Sequence, residues 1–177
     1  MDVPDWGYFS HIPVLAAAIQ RAPGPILEMG CGHGSTHLIN LMAGDFKVRT
    51  YDTDYAWLSK FSEPYGRSQR VFWHVKPEVP GVTAAIDEWC RVAADLVDGK
   101  FGVIFLDQAP GEARVPVAKI LKDSATFIVC HDTEADDPGG GGAYGWKELD
   151  HVFDFRTRYE RIRPFTTVYS NVKEFSL

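Results

Sequence analysis

Two hydrophobic periods alternate along the chain. Short apolar runs bounded by polar residues read as buried strands, and longer segments with apolar residues three and four apart read as helices. Residues 10–22 suit a helix, with Ser10 as its cap, Pro13 near its first turn and Pro23-Gly24-Pro25 as its stop. Ile26 to Met29 is the first strand, and Ser35 to Ala43 a helix with Leu38, Ile39, Leu41 and Met42 facing the sheet. Lys47 to Tyr51 is the second strand, Tyr55 to Phe61 a short helix and Val71 to Val75 the third strand. Val82 to Val97 repeats apolar residues at helical spacing, including Ala85, Ile86, Trp89, Val92, Ala93 and Leu96. Phe101 to Leu106 is a continuous apolar run, as a central parallel strand should be. Ala113 to Leu121 reads as a helix, Ala125 to Cys130 as a strand and Tyr144 to Phe153 as a helix. Tyr159 to Arg163 and Thr167 to Phe175 are the last two strands.

This alternation calls for a parallel sheet with helices on both faces. The last two strands are too close in sequence for a crossover, so they form an antiparallel hairpin. The expectation is an α/β fold: a Rossmann-like doubly wound sheet of seven strands, the last antiparallel, in one domain over residues 1–177. There is no internal repeat. The glycine run Gly139 to Gly142 reads either as a plain connection or as a lid with Tyr144 and Trp146 as contact residues.

In an open α/β sheet the ligand lies beyond the carboxyl ends of the strands. Nearly every expected strand here ends in a polar residue: Glu28 and Gly30, Asp52, His74, Asp107, and His131-Asp132. The first strand runs into Glu28-Met29-Gly30-Cys31-Gly32-His33-Gly34-Ser35 and then a helix. A dinucleotide fingerprint counted from Gly30 needs its third glycine where Ser35 stands. Here the third glycine is Gly34. Asp52 ends a strand next to this turn, where a carboxylate can accept both ribose hydroxyls; the competing reading is a simple helix cap.

The acid-x-Gly-x-Gly-x-Gly pattern resembles motif I of the class I S-adenosylmethionine (SAM) methyltransferases. The order of elements resembles their fold over nearly the whole chain. The resemblance implies an enzyme that takes a methyl group from SAM. It implies that Gly30, Gly32 and Gly34 surround the methionine part, that Asp52 holds the ribose, and that Glu28 orders the loop or meets the ammonium through water. In this fold the segment entering the first helix often covers the cofactor, which adds Tyr8, Ser10 and His11. Their alternatives are an aromatic core contact, a helix cap and a surface histidine. Trp73 and His74 end the third strand near an adenine position, with Trp73 reading more simply as a core aromatic.

Asp107, His131 and Asp132 are the expected catalytic residues. Phe101 to Thr133 resembles catechol O-methyltransferase and related metal-dependent O-methyltransferases, which implies Mg²⁺ on Asp107 and Asp132. Thr133 stands in place of the family's asparagine. No basic residue follows Asp107 directly, and Arg114 is the nearest cation. The same stretch is similar to small sugar and macrolide O-methyltransferases, which implies a metal-free route with His131 as general base, oriented by Asp107, Asp132 or Glu134. His131 bracing the loop is the alternative. The implied reaction is O-methylation of a small hydroxylated molecule. N-methylation of a protein or small amine, and a non-catalytic SAM-binding module, are the other readings.

The chain has 177 residues and a net charge of −6, which disfavours nonspecific binding to nucleic acid or an anionic membrane. Arg156, Arg158, Arg161 and Arg163 are its one basic cluster. With Asp154 and Glu160 interleaved they read as a salt-bridged rim, or as a grip on a phosphate or carboxylate of the substrate. No apolar run approaches the roughly 18 residues of a membrane span. Met1-Asp2-Val3-Pro4-Asp5 is the opposite of a signal-peptide start. Cys31, Cys90 and Cys130 are odd in number and lack CxxC spacing, which points to a reducing compartment, the cytoplasm.

Overall fold

The computed structural model of the chain describes residues 9–61, 69–134 and 144–177. The helices are α1 (Ile12–Arg21), α2 (Ser35–Met42), α3 (Tyr55–Ser59), α4 (Val82–Ala94) and α5 (Arg114–Ile120). The strands are β1 (Ile26–Met29), β2 (Lys47–Asp52), β3 (Gln69–His74), β4 (Phe101–Leu106), β5 (Ala125–His131), β6 (Phe155–Tyr159) and β7 (Thr166–Ser170). Short 3₁₀ turns at Gly111–Ala113 and Trp146–Leu149 complete the set used below.

The seven strands form one sheet in the order β3-β2-β1-β4-β5-β7-β6. β1 to β5 pair in parallel, and β7 lies antiparallel to both β5 and β6. The order reverses between β1 and β4, and such a switch point opens a crevice at the carboxyl edge. β4 is buried at all six positions because both sheet faces are covered there. Val103 and Phe105 pack with Val14, Leu15, Ala18 and Ile39 on the α1–α2 side. Ile104 and Leu106 pack with Trp89, Ala93, Val115 and Val117 on the α4–α5 side. Among the described residues no helix is long and apolar enough to cross a membrane.

Several boundaries differ from expectation. Ser10 is not the cap of α1; His11 holds that position without a side-chain bond, and the Ser10 hydroxyl is used elsewhere. The helix expected over Tyr144 to Phe153 is only the 3₁₀ turn Trp146–Leu149. The sixth strand runs Phe155–Tyr159 rather than Tyr159 to Arg163. As an edge strand it is half-covered and needs no continuous apolar run, which left its signal weak. The seventh strand stops at Ser170, and Phe175 folds back onto Phe127 with ring centroids 5.2 Å apart. Tyr8 and the run Gly139 to Gly142 lie outside the described residues.

Candidate active site

The three glycines of the β1–α2 turn serve different ends. Gly30 has φ +88°, and a Cβ there would lie 2.5 Å from the Asp107 carbonyl. Only glycine lets the end of β1 lie this close to the end of β4. A Cβ on Gly34 would come within 3.2 Å of both Phe9 and His11, so this glycine makes room for the entry to α1. A Cβ on Gly32 would meet nothing nearer than the Ser35 hydroxyl at 3.8 Å, which leaves its face open to a ligand.

Glu28 is fully buried below the turn. Its carboxylate accepts from Ser35 Oγ (2.7 Å), Thr36 Oγ1 (2.8 Å), Thr50 Oγ1 (2.9 Å) and Arg70 Nη1 (2.8 Å). Four donors fill the sites a carboxylate offers. Of its two expected roles, ordering the loop is therefore the one the geometry supports, since it fixes the first turn of α2 to β2 and β3. Asp52 instead stays half-buried at the end of β2. Its Oδ2 accepts the Cys31 N–H at 2.9 Å and its Oδ1 the Asp54 N–H at 2.9 Å. The cap of α3 is Asp54, which takes the Trp57 N–H, so Asp52 is free of that duty. Oδ2 also accepts the Cys31 thiol at 3.4 Å, so it is Oδ1 that keeps a lone pair for a further donor. Trp73 is not a core aromatic: it is 51% exposed and stacks on Tyr51.

A second cluster spans the ends of β4 and β5. Arg114, at the start of α5, turns back and bridges Asp107 Oδ1 (2.9 Å) and Asp132 Oδ2 (2.7 Å). It also donates to the Gln108 and His131 carbonyls. Asp132 is held in the left-handed region at φ +55°, with its carbonyl taken by the Trp146 indole N–H. His131 Nδ1 lies 3.2 Å from Asp107 Oδ1 and 3.5 Å from Asp132 Oδ1. His131 Nε2 lies 2.8 Å from Ser10 Oγ, whose proton goes to the Pro164 carbonyl at 2.7 Å.

These contacts fix the protonation of His131. Carboxylates only accept, so Nδ1 must carry a proton. The Ser10 hydroxyl has already spent its proton on Pro164, so Nε2 must carry one too. His131 is therefore an imidazolium, and with Arg114 it balances the two aspartates. Burial works against that charge, but Asp107 and Asp132 outweigh it and raise the pKa. Burial likewise opposes the Asp107 charge, yet Arg114 and His131 hold its pKa below the ordinary value.

His11 is the opposite case. Its ring is buried, 4.9 Å from Phe105 and 4.8 Å from His131 between centroids. Burial, and then the charge on His131, lower its pKa to about 4. Neither ring nitrogen has a hydrogen-bond partner among the described residues, and neither does the amide of buried Gln108. Buried polar groups without partners are rare, and such a group beside a crevice marks a place for a ligand.

The expected Mg²⁺ does not fit Asp107 and Asp132, because the Arg114 guanidinium occupies the space they would share. His11, Asp107 and His131 do bring three ligand atoms within 4.8 Å of one another. Two imidazoles and one carboxylate are not the hard oxygen set that Mg²⁺ favours, and both His131 nitrogens are engaged. The residues around Gly32 and Asp52 do fit SAM: an open backbone face adjoins a half-buried carboxylate whose Oδ1 keeps a free lone pair.

No protein-family model matches the sequence, and no curated protein matches it either. Solved structures do. A methyltransferase-like protein (spo2022) from Silicibacter pomeroyi matches with TM-score 0.58 and 16% identity, over 99% of this chain and 90% of that one. Monomeric WbdD matches with TM-score 0.61 and 15% identity, over 97% of this chain but only 45% of WbdD. CalS11, a TDP-rhamnose 3′-O-methyltransferase of calicheamicin biosynthesis, matches with TM-score 0.53 and 16% identity, over 90% and 76%. An rRNA methylase from Streptococcus thermophilus matches with TM-score 0.53 and 12% identity, over 90% and 93%. The fold is that of the class I methyltransferases.

In this methyltransferase fold, Asp107, His131 and Asp132 converge as their strand-end positions predict. Three participants were not foreseen in their roles. Arg114 lies seven residues from Asp107, and only the 3₁₀ turn Gly111–Ala113 brings it back. Ser10 reaches His131 across 121 residues of sequence. Gln108 follows Asp107 directly, but nothing in its type signals a buried amide without partners.

Proposed function

We propose that this chain is a SAM-dependent methyltransferase that O-methylates a small hydroxylated acceptor. The observation that carries the reading is the Asp52 carboxylate locked to the Cys31 N–H beside the open face of Gly32. That arrangement presents a carboxylate oxygen, Asp52 Oδ1, as acceptor for a ribose hydroxyl next to a bare backbone for the methionine part. SAM, when bound, supplies a methyl group already activated as a sulfonium, so the protein's work is to position the acceptor and take up its proton.

In this reading Asp107, His131, Asp132 and Arg114 form a fixed, charge-balanced wall beside the acceptor. His131 donates from both nitrogens, so it orients rather than removes a proton. His11, neutral near pH 7 with its ring nitrogens unengaged among the described residues, is placed to hydrogen-bond a ligand beside that wall, while a pKa of about 4 makes it too weak a base to keep the acceptor's proton. The likeness of this fold to CalS11, a TDP-rhamnose 3′-O-methyltransferase, supports a small hydroxylated acceptor. The three free cysteines, two of them buried, support a reducing compartment such as the cytoplasm.

Calorimetric titration with S-adenosylhomocysteine tests the reading. The expected result is micromolar binding that does not require Mg²⁺, weakened about tenfold or more by Asp52→Ala, as expected when hydrogen bonds to a charged group are lost. No binding to the unaltered protein would overturn it.

A further inference from the structure

The turn between β6 and β7 brings two arginines, Arg161 and Arg163, to an acidic chain. It spans residues 160–165 and follows directly on β6, which carries Arg156 and Arg158. β7 runs antiparallel to β5, with Thr166 opposite His131. The turn therefore overhangs the carboxyl end of β5, where Asp107, His131 and Asp132 gather. Three hydrogen bonds fix it to that edge. Ser10 Oγ donates to the Pro164 carbonyl at 2.7 Å, the Thr133 N–H to the Phe165 carbonyl at 3.0 Å, and the Phe165 N–H to Glu134 Oε1 at 2.6 Å.

The arginines divide into two kinds. Arg156 is paired with Asp150 at 2.6 Å, and Arg158 with Glu160 at 3.2 Å. Arg161 and Arg163 are exposed and have no carboxylate partner among the described residues. Arg163 is nonetheless held in place, its guanidinium 4.7 Å from the centre of the Phe165 ring. A cation resting on an aromatic ring gives up little further freedom when it binds an anion.

We propose that Arg161 and Arg163 form an anion subsite for a phosphoryl-bearing acceptor, a diphosphate above all, whose hydroxylated end reaches the cluster at β4 and β5. This rests on the methyltransferase reading above. A guanidinium fork matches a pair of phosphate oxygens, and two forks two residues apart, unpaired among the described residues, suit the several oxygens of a diphosphate better than the two of one carboxylate. The rest of the molecule selects for a small anion. With 24 acidic residues against 18 basic ones, a long polyanion such as RNA meets repulsion away from this turn.

The test is calorimetric titration with pyrophosphate, with S-adenosylhomocysteine bound, at about 0.15 M salt. It compares the unaltered protein, the double variant Arg161→Gln/Arg163→Gln, and Arg156→Gln as a control whose arginine is already paired. Unchanged thermal midpoints confirm that the variants fold. The unaltered protein should bind pyrophosphate, the double variant about tenfold or more weakly, and the control within about twofold. No pyrophosphate heat, or an equal loss in the control, overturns the subsite. Tighter binding of a ten-nucleotide single-stranded RNA with the same arginine dependence would also overturn it, since the turn would then read nucleic acid. A failure of the methyltransferase reading shows separately, as loss of S-adenosylhomocysteine binding, and the pyrophosphate titration repeated without it still reads the subsite.

Discussion

His11 sits neutral in the core beside a charged histidine, without a hydrogen-bond partner among the described residues, and that placement makes stability depend on pH in a calculable way. In the unfolded chain a histidine takes up a proton near pH 6.5, whereas in the folded protein His11 does so only at about 4. A histidine with a depressed folded pKa contributes stability that is present above the unfolded value and is lost as pH falls towards the folded one. Integrating that difference from pH 7.5 to 4.5 gives a loss of about 2.5 kcal/mol from this one group. His11→Leu removes the titration while keeping a similar volume. Its stability relative to the unaltered protein should therefore rise by about 2.5 kcal/mol over that range. The assay is urea denaturation followed by tryptophan fluorescence at a series of pH values. His131 has the opposite sign: its raised pKa gives stability that is present below about 6.5 and lost as pH rises through the folded value. Both proteins share that term, so it cancels in the difference. Two stability curves that stay parallel within about 0.5 kcal/mol would refute the placement of His11 as a buried, neutral ring.

Arg114→Met leaves the part-exposed Asp107 and Asp132 without their cation and should cost about 2–3 kcal/mol in urea denaturation, part of it recovered when Asp132→Asn is added. Gly30→Ala forces a side chain onto a backbone at φ +88° and within 2.5 Å of the Asp107 carbonyl. It should lower stability by about 2 kcal/mol or more, read as a fall in thermal midpoint, and an unchanged midpoint would contradict the close approach of β1 to β4.

How far the sequence discloses this molecule depends on whether a feature is local. β4 was legible because both its faces are buried, so every position from Phe101 to Leu106 is apolar. Asp107, His131 and Asp132 could be brought together from sequence because parallel strands end on one edge. β6 was misplaced because an edge strand is under no such constraint, and Phe155 and Arg156 stay exposed. The links that decide the protonation of His131 were not legible at all. Ser10 joins it across 121 residues and Pro164 joins Ser10 across 154, and no periodicity encodes contacts of that span. Trp73 illustrates the reverse error: a large aromatic at a strand end reads as core, but β3 is the sheet's edge and leaves half of it bare.

The position of β7 bears on how the chain is made. It comes after the other six strands of the sheet in chain order, yet it lies inside the sheet, between β5 and β6. Until it arrives, β5 presents a row of unpaired backbone groups flanked by Phe127, Ile128, Val129 and Cys130. Such an apolar open edge invites pairing with another chain. A nascent chain, or one cut short before Thr166, would thus be sticky. The β6–β7 hairpin acts as a closure, sealing the edge that β5 would otherwise present.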